Sequence, residues 1–463
     1  MQKAYFQNYH IEPGTLYFLY VGELKNYGLN IFLKEALTNL LKQPVDFISI
    51  IPDIMEQYDH SNILVINPLA KERFFRVKEK YSCRVPGPTF MQAVSQNPEV
   101  IKLIDRLLKQ QENVYIYMYE SYMEMTLADI DGVSILGPKS NLAHKLNNKI
   151  YQYQNFGDVV RLPEFEVCQG SEELKAATDK LWQVWKDGIF VTTPYSAAGI
   201  NSVIAHSWED VKTKFKFLDY PFLISRYHPH AHDPTVLAVV ANEYEVYIAG
   251  VADQRIEDGN RFTGSTYPSI LSKEVQEKLY AATLKVGRKL GKEGYRGIFG
   301  CDYVVDEDSE ILFVEINARK QGTTLEFCCT LEQLLPEGAP MLPELEYHAV
   351  VENRFSDTVS ELPAGFKGGI YWGTYNFKVT EDTCVYGFMP YCGEERQCFK
   401  QACNDRISRK FVILEHIGND FVLGAGSFLG RIVALGEDHE HVAQGLLQGR
   451  KMLEATIAHQ PAR

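Results

Sequence analysis

Dense apolar runs alternate with segments of helical apolar spacing through roughly the first 140 residues. The runs that predict strands are TLYFLYVG (15–22), VDFISII (45–51), NILVINP (62–68), NVYIYMY (113–119) and VSILG (133–137). The segments that predict helices are IFLKEALTNLLKQ (31–43) and EVIKLIDRLLKQQ (99–111). Strands that alternate with helices indicate a parallel α/β domain, which we place at residues 1–139. Gly137, Pro138 and a capping Ser140 predict a boundary there.

The pattern changes from residue 189 to about 255, where extended runs replace the helical spacing. These runs are IFVTTPYSAAGINSVIA, PFLISRYHPH and VLAVVANEYEVYIAGVADQRI. They predict a small antiparallel lid subdomain that carries a mobile loop. A helix over about 272–291 and two extended runs around a polar turn follow. The sequence thus predicts a mixed α/β and α+β chain with a second domain at 140–364 and an α+β segment at 365–463.

Composition narrows the class of protein. The 463 residues are 45% hydrophobic and 23% charged, as in a globular protein. The net charge of −13 argues against a nucleic-acid partner, since phosphate contacts need a basic surface. No apolar run approaches the roughly 20 residues that span a bilayer, so we expect a cytoplasmic protein with no membrane partner. Nine cysteines without a CxxC pair favour buried, reduced thiols.

Acidic residues mark the two extended runs GCDYVV and ILFVEIN. If 303–306 pair with 311–314 around the turn 307–310, Asp302 lies directly opposite Glu315. Strand alternation puts Asn317 on the same face, and Arg319 as well if the extended backbone continues. Like charges opposite each other destabilise a sheet unless a cation lies between them.

The oxygen atoms of Asp302, Glu315 and Asn317 are hard ligands that suit Mg²⁺ bound together with nucleotide phosphates. The alternative is a set of solvated residues on an exposed sheet face. The apolar residues around the three side chains weigh against that alternative, because they indicate a buried hairpin.

Three motifs in this order resemble the ATP-grasp superfamily, in its biotin carboxylase branch. They are LGPKSNLAHKLNNK, FVTTPYSAAGINSVIAHSWEDVK and GCDYVV with ILFVEINAR, and together they cover about residues 135–330. The C-terminal GRIVALGEDHEHVAQGLLQGRKMLE is similar to the tail of biotin carboxylase. The resemblance implies an ATP-grasp fold preceded by a pre-ATP-grasp α/β domain.

The resemblance also implies the cofactors ATP and Mg²⁺ and assigns residues to them. Mg²⁺ would be held by Asp302, Glu315 and Asn317, and Arg319 and Lys149 would be catalytic. Residues implied in ATP binding are Lys149, Thr193, Ser196, Gly199, Ser225, Arg226, Tyr227 and Asp233. The loop 195–202, with the small residues Ala197, Ala198 and Gly199, would close over the phosphates.

This chain departs from the family pattern at two places. The family often has a lysine where Thr192-Thr193-Pro194 stands here, and a glutamate pair where Ser225-Arg226 stands. Our hypothesis is that Arg226 supplies the missing positive charge, since guanidinium binds phosphate oxygens in pairs. The chain is then either a divergent branch with a rewired nucleotide site or an enzyme with impaired catalysis.

Two further groups of residues are candidates for binding. Arg255 and Arg261 are candidates for a clamp on a substrate carboxylate, against the alternative of surface side chains. His228, His230 and His232 occupy alternate positions, as in some transition-metal sites. Pro229 and the predicted turn argue against a common face for the three.

The resemblance implies an ATP-dependent ligase that joins a carboxylate to an amine of a small molecule, an amino acid or a peptide. The alternatives are a biotin-carboxylase-like enzyme, a ligase for a carrier-protein thiol, and an ATP-binding module without catalysis. A homodimer is the default expectation for assembly.

Overall fold

The computed structural model describes residues 6–22, 29–52, 62–68, 80–81, 85–196, 199, 201–215, 220–257, 259–385, 410–414, 416 and 421–459. The chain folds into two compact units. The first unit is built from Met1–Ser140, Thr324–Ser360 and Gly368–Arg463, and the second from Asn141–Thr323 with Glu361–Lys367. No helix among the described residues has the length and the apolar content needed to cross a bilayer.

The elements of both units are numbered here in chain order. The strands are β1 (Phe6–Asn8), β2 (Leu16–Val21), β3 (Val45–Ile51), β4 (Ile63–Val65), β5 (Lys80–Tyr81), β6 (Val114–Tyr117), β7 (Val133–Ile135), β8 (Phe165–Gln169), β9 (Ile189–Thr192), β10 (Ser202–Ala205), β11 (Pro221–Arg226), β12 (Pro234–Val240), β13 (Val246–Glu257), β14 (Arg261–Tyr267), β15 (Gly297–Val305), β16 (Ile311–Asn317), β17 (Tyr371–Lys378), β18 (Thr383–Val385), β19 (Phe411–Leu414), β20 (Phe421–Leu423), β21 (Phe428–Gly436) and β22 (Ile457–His459). The helices are α1 (Leu29–Leu41), α2 (Gly87–Ser95), α3 (Pro98–Leu107), α4 (Ser140–Leu146), α5 (Lys149–Phe156), α6 (Gly170–Leu181), α7 (Trp208–Lys214), α8 (Lys273–Lys292), α9 (Thr324–Leu334), α10 (Leu342–Tyr347) and α11 (His439–Glu454).

A six-stranded sheet ordered β1-β4-β3-β2-β6-β7 forms the N-terminal part of the first unit. β2, β3, β4, β6 and β7 pair in parallel, and β1 joins antiparallel to β4. β2 is a continuous apolar run and β3 is mostly apolar, as expected for strands that are buried on both faces. Leu19, Ile48 and Ile116 share one core with Leu103 of α3. The predicted parallel α/β arrangement is confirmed.

Two further groups of strands belong to the first unit, one fully antiparallel and one in which β20 and β5 pair in parallel. β17, β21 and β19 pair in that order, and α11 packs on β21 through Val442 and Leu446. The segment GRIVALGEDHEHVAQGLLQGRKMLE, which is similar to the tail of biotin carboxylase, therefore forms most of β21 and all of α11. The other group is ordered β22-β18-β20-β5.

The second unit contains a small antiparallel sheet ordered β10-β9-β11-β8. Its extent differs from the sequence expectation, which placed β12 and β13 in this sheet and left β8 out of it. Every residue of β12 is buried, and the strand pairs with β13 on one side and β15 on the other. β12 and β13 are therefore inner strands of a different, larger sheet. Their apolar residues are buried because each strand has a neighbour on both sides there.

That larger antiparallel sheet runs β16-β15-β12-β13-β14 within the second unit. Helix α8 begins after the cap Ser272, whose hydroxyl accepts a hydrogen bond from the amide of Val275 at 3.3 Å. The apolar side of α8, with Leu279 and Val286, packs on Val236 and Cys301 of the sheet. One face of the sheet is thus apolar, and the opposite face is available for polar chemistry.

The cysteines agree with the expectation of buried thiols where the structure describes them. Cys168, Cys301, Cys328, Cys329 and Cys384 are buried thiols. The remaining cysteines, Cys83, Cys392, Cys398 and Cys403, lie outside the described residues.

Candidate nucleotide and metal site

The hairpin of β15 and β16 brings two carboxylates together. Asp302 lies directly opposite Glu315, as the spacing predicts, and Gly300 lies opposite Asn317. The predicted pairing nearer the turn was wrong by one residue, because Tyr303 pairs with Phe313 rather than with residue 314. The turn is one residue longer than predicted: the Asp306 carboxylate accepts hydrogen bonds from the amides of residues 308 and 310, at 3.0 and 2.9 Å.

A β-bulge at Val314 compensates for the longer turn. The pairing skips Val314 between Phe313 and Glu315, so these two residues lie on opposite faces of the sheet. Phe313 and Ile316 belong to the apolar core. Without the bulge, Glu315 would share the core face with Phe313, since residues two apart share a face of a regular strand.

Asp302 is almost fully buried and accepts hydrogen bonds on both oxygens. Its Oδ1 accepts from Thr235 Oγ1 at 2.7 Å and from Gln321 Nε2 at 3.3 Å. Its Oδ2 accepts from Asn317 Nδ2 at 2.9 Å. Gln321 also donates to Thr235 Oγ1 at 2.9 Å. These bonds fix the orientation of the carboxylate.

Asn317 and Arg319 continue the same face. Arg319 Nη2 donates to Asn317 Oδ1 at 3.0 Å, and its Nη1 donates to the carbonyl of Lys320 at 3.0 Å. The alternation that predicts a common side for Arg319 and Asn317 thus agrees with a direct contact, although β16 ends at Asn317.

Lys149 completes this group from helix α5. Asn148 caps the helix by accepting a hydrogen bond from the amide of Tyr151 at 3.1 Å. The ammonium group of Lys149 forms an ion pair with the Glu315 carboxylate. Burial lowers the pKa of Lys149 to about 8, an effect opposed by the charge of Asp302 and increased by that of Arg319.

The donor set fits Mg²⁺. Among the described residues, no three His, Cys, Asp or Glu side chains form a metal-binding group. The hairpin instead offers two carboxylates and one amide, and Mg²⁺ commonly takes one or two carboxylates and completes its shell with water and substrate phosphates. Lys149 already places a positive charge at Glu315, so the site accepts a cation.

The base of the predicted loop contacts the start of α5. The carbonyl of Pro194 accepts a hydrogen bond from the amide of Lys149 at 2.9 Å. The Thr193 hydroxyl, at the position where the family often has lysine, donates to the carbonyl of Tyr195 at 3.1 Å. The Tyr195 ring stacks on His144, and its hydroxyl lies 2.9 Å from His144 Nε2. The loop base is thereby joined to the segment that carries Lys149.

The far side of the loop approaches the turn between β13 and β14. Gly199 has a φ of +75°, and an added Cβ would lie 2.1 Å from the carbonyl oxygen of Asn260. Glycine is therefore required at this position. Ser196 is half-buried, and Ala197 and Ala198 lie outside the described residues.

Three of the residues implied in ATP binding lie at the end of β11 and directly after it. Ser225 is buried, and Arg226 pairs with Glu164 at 3.2 Å and with Asp187 at 3.8 Å. The amide of Tyr227 donates to the carbonyl of Gly188 at 3.1 Å. The guanidinium group of Arg226 is thus engaged by carboxylates, and its role as a phosphate ligand stays a prediction.

The histidines and the two candidate substrate arginines have separate contacts. His230 bonds to Asp233 at 2.9 Å and His228 lies 3.5 Å from Glu164, so these two rings have different partners. The backbone of His232 forms a β-bridge with Val305. Arg261 pairs with Glu257 at 2.7 Å, and Arg255 is exposed.

Sequence reasoning missed four side chains that hold this site. Thr235 and Gln321 support Asp302, and Asn147 and Gln152 bond to the backbone of the segment 316–318. Gln321 could have been predicted from the sequence, because it lies two positions beyond Arg319 in the series of alternating polar residues that begins at Glu315. Thr235 had none, since its strand is far from Asp302 in sequence.

The segment that carries this site matches a known protein family. The sequence model of the ATP-grasp domain matches residues 146–323. The [butirosin acyl-carrier protein]–L-glutamate ligase of Niallia circulans is 26% identical over 200 residues, which are 41% of this chain. The match spans 46% of that relative, so less than half of its length is represented.

Solved structures resemble nearly the whole chain. Biotin carboxylase of Campylobacter jejuni, in its beta-gamma-ATP complex, has a TM-score of 0.63 at 12% identity and covers 96% of this chain and 91% of its own. N5-carboxyaminoimidazole ribonucleotide synthetase of Thermotoga maritima has a TM-score of 0.57 at 12% identity, covering 95% and 98%. At 12% identity, the similarity to these structures shows the fold of the chain, and that fold is the one predicted from the sequence. Residues 146–323 therefore match the ATP-grasp domain, and the fold of the chain is similar to those of biotin carboxylase and N5-carboxyaminoimidazole ribonucleotide synthetase.

Proposed function

We propose that this chain is an ATP-dependent ligase that activates a carboxylate as an acyl phosphate and transfers the acyl group to an amine. The observation that carries the proposal is the group of charges on the hairpin. Asp302 faces Glu315, Lys149 pairs with Glu315, and Arg319 bonds to Asn317. Phosphoryl transfer depends mainly on positioning and charge neutralisation, which such a group supplies.

The proposed reaction has two steps. A carboxylate oxygen of the substrate bonds to the γ-phosphorus of ATP while the bond to the β-phosphate oxygen breaks, and ADP leaves. The amine nitrogen then bonds to the acyl carbon, the bond from that carbon to the phosphate oxygen breaks, and the nitrogen loses a proton.

The side chains of the site have distinct roles in this proposal. Mg²⁺ bound by Asp302, Glu315 and Asn317 would supply positive charge to the β and γ phosphates. Lys149 would exchange its contact with Glu315 for a phosphate oxygen. Arg319, which is planar and always charged, would bind the transferred phosphoryl group. The loop after Thr193 would exclude water from the acyl phosphate.

The second positively charged side chain expected at the phosphates is the part of the proposal that departs most from the family pattern. Thr193 offers a hydroxyl without charge. We propose Arg226 as the replacement, which would require its guanidinium group to leave Glu164 for a phosphate oxygen. Ser196, Gly199, Ser225, Tyr227 and Asp233 would form the remainder of the ATP pocket.

A carrier-protein thiol is the second candidate acceptor. The observation that favours it is the relative from Niallia circulans, whose name gives L-glutamate and an acyl-carrier protein as its substrates. The first step would be unchanged, and a sulfur atom would replace the amine nitrogen in the second. A biotin-carboxylase-like reaction and a binding module without turnover are the remaining alternatives.

One experiment tests the step that both ligase candidates share, the activation of a carboxylate as an acyl phosphate. The protein is incubated with ATP, Mg²⁺ and pooled amino acids, with and without hydroxylamine, and ADP, phosphate and hydroxamates are measured. We expect ADP release that depends on one carboxylate and a hydroxamate of that carboxylate, since hydroxylamine intercepts an acyl phosphate. Nucleotide binding without ADP release across wide substrate pools would overturn the ligase proposal.

The proposal extends to substrate binding, location in the cell and assembly. Arg255 and Arg261, on the β13–β14 hairpin, would bind the carboxylate of the substrate. The net charge of −13 supports small-molecule substrates over nucleic acid. We further propose that the protein acts in the cytoplasm as a homodimer.

A further inference from the structure

The strand that carries Glu315 and Asn317 is an edge strand of the larger sheet in the second unit. Among the strands that the structure describes, β16 pairs with β15 alone. Backbone groups on the other side of an edge strand need partners from elsewhere. The carbonyl of Arg161 accepts a hydrogen bond from the amide of Phe313 at 2.9 Å, and side chains from the segment around Lys149 bind the backbone farther along the strand.

Gln152 binds this outer edge through both ends of its amide. Its Oε1 accepts a hydrogen bond from the amide of Ile316 at 2.8 Å, and its Nε2 donates to the carbonyl of Ile316 at 2.8 Å. The same Nε2 donates to the carbonyl of Leu146 at 2.7 Å. The side chain is 1% exposed, so these bonds are shielded from water.

Asn147 extends this contact by two residues along the chain. Its Oδ1 accepts a hydrogen bond from the amide of Ala318 at 3.0 Å. Ile316 lies between Glu315 and Asn317, and Ala318 lies between Asn317 and Arg319. The backbone on both sides of Asn317 is therefore held by side chains that flank Lys149 in sequence.

We propose that Gln152, assisted by Asn147, is a positioning residue that sets the separation between Lys149 and the metal-ligand strand. Gln152 follows Lys149 by one helical turn, so its bonds to Ile316 fix helix α5 relative to Glu315. Residues that orient metal ligands without touching the ion lower the affinity for the metal when they are replaced. Metal affinity therefore tests this role. The inference rests on the proposed Mg²⁺ and nucleotide site.

A purely structural role for Gln152 makes a different prediction, and Gln276 provides the matched control. Gln276 is also buried on a helix of the second unit and also bonds to backbone at both ends, donating to the carbonyl of Leu271 at 2.9 Å and accepting from the amide of Gly365 at 3.0 Å. Its partners lie outside the carboxylate hairpin. If both glutamines only stabilise the fold, their replacement will have the same consequences.

The test compares Gln152→Met and Gln276→Met with the wild-type protein. Methionine has a similar length and neither donates nor accepts these bonds strongly. Binding of ADP is titrated at a series of free Mg²⁺ concentrations by calorimetry, and thermal unfolding is recorded in parallel. We expect both variants to unfold at lower temperature. We expect only Gln152→Met to raise the Mg²⁺ concentration for half-maximal ADP binding, by about tenfold.

The outcomes separate this inference from the function on which it rests. A folded Gln152→Met protein with wild-type Mg²⁺ dependence would overturn the positioning role alone. ADP binding by the wild-type protein that is independent of Mg²⁺ would overturn the proposed metal site itself. If Gln152→Met does not fold, Asn147→Ala, which removes the Ala318 bond, serves as the second variant, and unchanged Mg²⁺ dependence there would also reject the inference.

Discussion

Lys149 and Glu315 form an ion pair that joins the first turn of α5 to the strand β16. Their side chains are 11% and 20% exposed, so the pair is well shielded from water. Two facing carboxylates on neighbouring strands repel each other, and the ammonium group offsets that repulsion at Glu315. The site therefore holds a cation of its own before any ligand enters.

Replacement of Glu315 by glutamine removes one proposed Mg²⁺ ligand and the partner of Lys149 while keeping the size of the side chain. We expect ATP turnover to fall by about 100-fold or more, as for the loss of one group that stabilises charge in a transition state. The measurement is the rate of ADP release at saturating ATP.

The control for that variant is Glu307→Gln in the exposed turn of the same hairpin. We expect it to turn over ATP within twofold of the wild-type rate. Equal rates for Glu315→Gln and Glu307→Gln would remove Glu315 from the metal site.

Replacement of Lys149 by methionine leaves Glu315 opposite Asp302 without the ammonium group. We expect kcat/KM for ATP to fall by about 100-fold, because a phosphate contact and the neutralising charge are lost together. Lys145→Met is the matched control, since Lys145 forms an exposed pair with Glu293 at 2.9 Å. A similar loss in both variants would show that general surface charge, rather than Lys149, sets the rate.

Replacement of Gly199 by alanine tests the contact between the loop and the turn at Asn260. The new Cβ would meet the Asn260 carbonyl at 2.1 Å, so we expect the loop to be displaced and turnover to fall by roughly tenfold. Gly294→Ala is the control for backbone strain: its φ is +90° and no heavy atom lies within 4 Å of the added Cβ. We expect that control to lose about 1 kcal/mol of stability and no activity. Full activity of Gly199→Ala would argue against a closing loop.

Buried His416 predicts a loss of stability in acid. Burial lowers its pKa to about 3, whereas an unfolded histidine titrates near 6.5. The unfolded chain therefore binds more protons between these values, and the free energy of unfolding falls as the pH falls through about 6.5. His416→Gln should reduce the fall in melting temperature between pH 7 and pH 5, whereas exposed His10→Gln should not. Identical pH profiles for the two variants would contradict this assignment.

Local patterns predicted much of the fold because they report directly on burial. The runs at β2, β3 and β6 and the spacing of α3 and α8 each lie where the sequence placed them. The assignment of β12 and β13 to the lid sheet was wrong, because an apolar run shows that a strand is buried but not which strand it pairs with. That choice depends on the contact of Thr235 with Asp302, which is distant in sequence.

The site was predictable where its residues alternate along one strand, and less so where another segment supplies a side chain. Glu315, Asn317 and Arg319 form a visible series. Gln152 lies in the helical segment KIYQYQNF, where its sequence position does not distinguish it from a surface glutamine. The pairing of Asp302 with Glu315 was predicted from a shorter turn and a regular ladder, two errors that cancel at this position.

Because of the bulge, Val314 has no partner on β15, and β16 contains one residue more than the stretch of β15 that it pairs with. Deletion of Val314 would leave Phe313 on the core face and Glu315 on the site face, because the shortened strand would then alternate regularly against Tyr303 and Asp302. A deletion elsewhere in a strand normally exchanges its two faces. β16 can therefore be shortened at this single position without turning its carboxylate away from the site.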